Sequence, residues 1–107
     1  MSRNILEELA ATIRERRNAD PAVSYTRRLI DAAPLKPAKK FGEEAVETVI
    51  AALSEDDKAL TGEAADLLYH LLVLLECRNI DLADVLKELE TRVGTSGLQE
   101  KQRRATR

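Results

Sequence analysis

Five carboxylates fall in two short runs: Glu43, Glu44 and Glu47 in the first, Glu63 and Asp66 in the second. On a helix, Glu43 and Glu47 stand at i,i+4 and Glu44 and Glu47 at i,i+3, so the three share one broad face. Like charges at these spacings repel by about 0.2–0.5 kcal/mol per pair. A solvated face normally alternates signs, yet no Lys or Arg lies between Lys40 and Lys58. Glu63 and Asp66 are again i,i+3 neighbours, and His70 follows one turn later in a stretch otherwise built of Ala, Leu, Tyr and Val. Asp66 is expected to be buried between Leu67, Leu68 and Val73, where an ionised carboxylate is expensive without a partner. A hard divalent cation relieves both problems, and an all-oxygen donor set suits Mg2+, with Mn2+ as a substitute, over zinc. Glu43, Glu44, Glu47, Glu63 and Asp66 are therefore the candidate metal ligands. His70 is expected behind them as a hydrogen-bonded support or core residue.

Either run alone reads as a solvated helix face. Together, on two helices joined by a short connection, they point to one site. Immediately upstream lies a basic run containing Arg28, Lys36, Lys39 and Lys40. It leads into the start of the acidic helix, where Lys, Arg and free helix N–H groups can hold phosphate. Carboxylates for a cation beside cations for phosphate describe a polyphosphate site.

The elements that must position these groups are all helical. Asn4 with Glu7 has the spacing of a capping box, and Ile5, Leu6, Leu9, Ala10 and Ile13 form a helical stripe ending near Arg17. Ser24 is a candidate N-cap for a short helix over 25–33, stopped by Pro34. Pro37 fits the first position of the next helix, over 37–53, with Phe41, Ala45, Val46, Val49, Ile50 and Leu53 as its apolar side. After a polar connection over 54–57, a longer helix runs over 58–78. It is apolar on nearly every side from Ala64 to Leu75, the pattern of a buried helix. Asn79 suits a left-handed close, and Asp81 a cap for a last helix carrying Leu82, Val85, Leu86 and Leu89. The expected architecture is all-α: one bundle of four to five helices over 1–93, assembling as a dimer. A mobile basic tail over 94–107, with Lys101, Arg103, Arg104 and Arg107, is expected to follow.

Bulk composition is consistent with this. The chain has 107 residues, one Phe, two Tyr and no Trp, so its core is aliphatic and small. A net charge of −2 argues against non-specific nucleic-acid binding. The single Cys77 excludes an intramolecular disulfide or a cysteine-rich zinc cluster. With no run of about 20 apolar residues, a cytoplasmic protein without membrane attachment is expected.

Three segments together resemble a known family: Ser24-Tyr25-Thr26, the run Lys40-Phe-Gly-Glu-Glu-Ala-Val-Glu47, and Gly62-Glu-Ala-Ala-Asp-Leu-Leu-Tyr-His70. They resemble the phosphoribosyl-ATP pyrophosphohydrolases, a branch of the all-α nucleoside-triphosphate pyrophosphohydrolases of the MazG type. The resemblance spans about residues 6–89. It implies a homodimeric helical bundle with its active site near the dimer interface. It also implies Mg2+-dependent hydrolysis of phosphoribosyl-ATP to phosphoribosyl-AMP and pyrophosphate, the second step of histidine biosynthesis. By the motif, the five carboxylates bind metal and activate water, with Glu44 or Glu47 as the base. Lys40 matches a family lysine assigned to the substrate phosphates, and Lys39, Lys36 and Arg28 are the further phosphate candidates. The family commonly carries Lys-Gly where this chain has Ala32-Ala33, and Lys36 is the candidate replacement.

Two other readings use the same residues. A house-cleaning pyrophosphohydrolase would share the metal site and differ in its nucleotide pocket. A non-catalytic helical scaffold would leave the acidic face merely solvated, with no Mg2+-dependent rise in melting temperature.

Overall fold

The computed structural model describes residues 4–93 together with 104 and 105. Among these, five helices follow one another: α1 (Ile5–Glu15), α2 (Tyr25–Asp31), α3 (Leu35–Ser54), α4 (Asp57–Cys77) and α5 (Leu82–Arg92). A 3-10 turn, Arg16–Asn18, extends α1, and no strand is present among the described residues. The all-α architecture is as expected. The proposed tail over 94–107 lies outside the described residues, apart from the helical pair Arg104 and Ala105.

Three helices start where a side chain accepts one of the first free N–H groups. Asn4 Oδ1 takes Glu7 N–H at 2.9 Å, Ser24 Oγ takes Arg27 N–H at 3.1 Å, and Asp56 Oδ1 takes Ala59 N–H at 2.8 Å. α3 begins at Leu35, two residues before the start expected at Pro37. Pro37 is then third in the helix, still among the four residues whose N–H has no intrahelical acceptor, so its missing donor breaks no bond. α4 closes on Asn79 in the left-handed region at φ 58°, as expected. Asn79 N–H reaches Glu76 O and Ile80 N–H reaches Leu75 O, both at 3.0 Å, satisfying two end carbonyls in a Schellman arrangement. Asp81 departs from expectation. It precedes α5 but makes no side-chain cap, because Arg14 takes its carboxylate.

Only Glu55 and Asp56 separate α3 from α4, so the two long helices form an antiparallel hairpin about 30 Å long. α1 and α2 lie against the far half of α4, where Ile13, Leu29, Leu72 and Val73 make the buried core. Leu6, Leu9, Ala10, Ile30, Tyr69 and Leu75 pack around it. The other half of the hairpin is uncovered. Val46, Val49, Ile50 and Leu53, which form the apolar side of α3, are 59%, 58%, 48% and 83% exposed. Leu68 of α4, in the stretch expected to be buried throughout, is 44% exposed. Two short helices are too small to cover both halves of a 30 Å hairpin. Among the described residues, no helix is long and apolar enough to cross a membrane.

Candidate metal centre

The hairpin brings the two acidic runs together. Glu44 from α3 and Glu63 and Asp66 from α4 each offer a carboxylate oxygen, all within 4.8 Å of one another. The expected burial falls on a different residue than the sequence suggested. Asp66 is exposed, whereas Glu44 is buried, only 8% exposed, against α4. Asp66 stays in contact with solvent one turn before the buried His70, so its apolar neighbours in sequence do not enclose it.

Glu44 Oε2 and Glu63 Oε2 are both shut off from solvent and have no hydrogen-bond partner. Two orphaned carboxylate oxygens on facing helices are costly, and a cation between them would satisfy both. Burial raises the Glu44 carboxyl above its ordinary range, and the nearby Glu47 and Asp66 charges add to this while His70 opposes it. Glu63 is also raised, first by burial and then by the charges of Glu47, Glu44 and Asp66. Glu47 is thus close to both, at the exposed rim. Glu43 is not one of the converging trio. It is exposed and faces Lys40, with Nζ 3.7 Å from its Oε1.

Lys40 Nζ also stands 3.9 Å from Glu44 Oε1, placing one cation directly beside the carboxylates. Leu35, Lys36, Lys39, Lys40 and Glu43 line a shallow groove of about 400 Å3. An adjoining groove is lined by Gly42, Glu43, Val46 and Glu47, so the lysine-lined surface runs onto the acidic one through Glu43. Lys36, one turn before Lys40, therefore shares the face of Lys39 and Lys40. Ala32-Ala33 is compatible with the local backbone. Ala32 closes α2 at φ −97°, and Asn79 is the one non-glycine residue at positive φ among those described, so no glycine is required. Arg28 is otherwise engaged. Its guanidinium donates to Pro21 O at 2.7 Å and Ala22 O at 3.0 Å, tying down the connection before α2.

His70 is buried, 7% exposed, one turn beyond Asp66. Its Nδ1 donates to Asp66 O at 2.8 Å, which leaves Nε2 to accept from the Tyr25 hydroxyl at 3.4 Å. The imidazole also meets Tyr25 and Tyr69 edge-on. Beside it, the Thr26 and Tyr69 hydroxyls share a short hydrogen bond. Each residue of Ser24-Tyr25-Thr26 thus has a job: Ser24 caps α2, and the next two clasp α2 to α4 beside the acids. The clasp places the Tyr25 phenol near Lys40, Glu43 and Glu44. Burial pushes its pKa up, with Lys40 opposing.

Sequence reasoning missed the network at the other end of α4. Glu76 is buried and gathers Arg14 Nε at 3.2 Å and Arg17 Nε, while Arg17 Nη2 also donates to Glu76 O and Asn79 Oδ1. Its only signal was a glutamate inside the apolar run Leu71–75 and Cys77, which identifies no partner. A groove of about 550 Å3 opens here between α1, the end of α4 and the start of α5, away from the acidic trio.

Comparison with known proteins finds one family and many full-length relatives. Residues 6–93 match the family described as phosphoribosyl-ATP pyrophosphohydrolase. The chain is 59% identical over 99 residues to a phosphoribosyl-ATP pyrophosphatase of Roseobacter denitrificans, covering 92% of this chain and 94% of that one. It is 57% identical over 99 residues to one from Jannaschia sp., covering 92% and 97%. A third, from Erythrobacter litoralis, is 56% identical over 101 residues, covering 94% and 97%. With its carboxylate trio, adjoining lysines and nearly full-length match, the chain belongs to the phosphoribosyl-ATP pyrophosphohydrolase family.

Proposed function

We propose that this protein hydrolyses phosphoribosyl-ATP to phosphoribosyl-AMP and pyrophosphate, the second step of histidine biosynthesis, with Mg2+ held by Glu44, Glu63 and Asp66. The observation that carries the metal assignment is the pair of orphaned oxygens, Glu44 Oε2 and Glu63 Oε2, within a cluster of three carboxylates. An oxygen-only donor set favours Mg2+ or Mn2+. The bound cation supplies charge neutralisation on the substrate phosphates. Lys40, Lys39 and Lys36 hold those phosphates along their shared groove. Glu47, exposed at the rim yet close to Glu44 and Glu63, orients the attacking water and takes its proton. The water oxygen bonds to the phosphorus next to the ribose, and the bond to the departing pyrophosphate breaks. Glu43 holds Lys40 in place, and His70 braces the backbone at Asp66. The cytoplasm is the compartment this reading assigns.

The exposed stripe of Val46, Val49, Ile50 and Leu53 is the proposed homodimer face. Positions i, i+3, i+4 and i+7 form one continuous apolar row, which a second copy of the hairpin would bury. Val49→Glu is expected to convert a dimer to a monomer in sedimentation velocity. An unchanged sedimentation coefficient would rule this face out.

Pyrophosphate release from phosphoribosyl-ATP, measured with and without Mg2+ and against a panel of deoxynucleoside triphosphates, tests the activity. Mg2+-dependent release with a strong preference for phosphoribosyl-ATP is expected. Equal or greater turnover of the deoxynucleotides would instead favour the house-cleaning reading. No release from any nucleotide would leave only a scaffold.

A further inference from the structure

We infer that Thr48 is a positioning residue for the cation site, an inference that rests on the metal reading above. Thr48 lies one turn after Glu44 on α3 and is half-buried against α4. Its Oγ1 donates to Glu44 O, in its own helix, at 2.8 Å. The same oxygen stands 3.3 Å from Glu63 O, across the hairpin. Its one proton is therefore shared between the carbonyls of the two residues whose orphaned carboxylate oxygens face the site.

The placement matters because α3 and α4 otherwise bring like-charged carboxylates face to face there, which push the two helices apart rather than hold them together. The Thr48 hydroxyl thus joins the α3 and α4 backbones directly. A directional bond between the two backbones fixes both their separation and their register. The bond to Glu44 O, four residues back in α3, ties the same hydroxyl to the turn that carries Glu44. Removing the hydroxyl leaves all three carboxylates in the chain and loosens only their spacing. Supports of this kind, which hold ligands without touching the metal, typically contribute about 10–100-fold in metal affinity.

The test is Mn2+ binding to metal-free protein, read as free Mn2+ by electron paramagnetic resonance, with melting temperature measured on the same samples. Thr48→Val keeps the shape and removes the hydroxyl, Thr48→Ser keeps the hydroxyl, and Thr48→Ala is the alternative if the valine variant fails to fold. Thr48→Val is expected to weaken Mn2+ binding about tenfold, and Thr48→Ser to stay within about twofold of the parent. A lower melting temperature with unchanged Mn2+ affinity in the folded variant would reduce Thr48 to ordinary packing and overturn the inference. If the parent protein shows no saturable Mn2+ binding, the metal reading fails, and this inference with it.

Discussion

Glu44→Gln is expected to abolish pyrophosphate release while making the metal-free protein more stable. The two effects have one cause. Glu44 is buried, lacks a partner for Oε2, and has its carboxyl raised first by burial and then by Glu47. Without a cation, its charge opposes folding, because the unfolded chain ionises it more easily. A folded value above the unfolded one means the folded state binds more protons through that window. The metal-free protein therefore gains stability as pH falls from above the folded value toward the unfolded one. Above the folded value the penalty is complete. Glutamine removes the penalty, so the variant melts higher in chelator and loses most of that pH dependence. With the cation the sign reverses: the parent gains a ligand and the variant does not. Loss of one charged ligand at a site that neutralises phosphate is expected to lower turnover about 10^3-fold, equivalent to about 4 kcal/mol. Thermal melts with chelator and with Mg2+, beside a pyrophosphate assay, check both halves. A variant that melts below the parent in chelator, or that retains turnover, would remove Glu44 from the site.

The second large effect lies at the opposite end of α4 and concerns stability alone. Arg17→Met leaves the buried Glu76 carboxylate with Arg14 as its remaining cation among the described residues, and the Arg14 side chain is itself 57% exposed. It also strips donors from Glu76 O and Asn79 Oδ1, which brace the left-handed close of α4. Removing one partner of a buried ion pair costs about 3 kcal/mol, a drop in melting temperature on the order of 10–20 °C for a domain of this size. Glu76 is thirteen residues along α4 from Glu63, about 20 Å away along the helix axis. Turnover per folded molecule at low temperature should therefore match the parent. Calorimetry with an assay at 15 °C makes the comparison. A melting temperature within a degree or two of the parent would show that Arg14 and water suffice for Glu76.

These two expectations sit on opposite sides of what local sequence can convey. Spacing along one helix was enough to place Glu44 beside Glu47 and Glu63 beside Asp66, because 3.6 residues per turn is a property of the backbone. The caps at Asn4 and Ser24 and the left-handed Asn79 were legible for the same reason: each bond closes within a few residues. The short connection before α4 implied a hairpin, and the hairpin implied one acidic site. The family motifs also lie within single helices, so the resemblance was readable before any packing was known.

Burial followed a different rule. Asp66, surrounded in sequence by Leu67, Leu68 and Val73, is exposed, while Glu44, flanked by Glu43 and Ala45, is buried. Asp81, suited to cap α5, instead pairs with Arg14 across 67 residues. Val46, Val49, Ile50 and Leu53, apolar at helical spacing, face outward in the single chain. Sequence by itself determined which carboxylates share a helix face and which chemistry they suit. Only the tertiary structure decided which of them carries the desolvation, which cation stands beside it, and that Thr48 bridges the two backbones. The physical reason is that burial and partnership depend on the neighbouring helix, whose crossing and register are set by distant contacts.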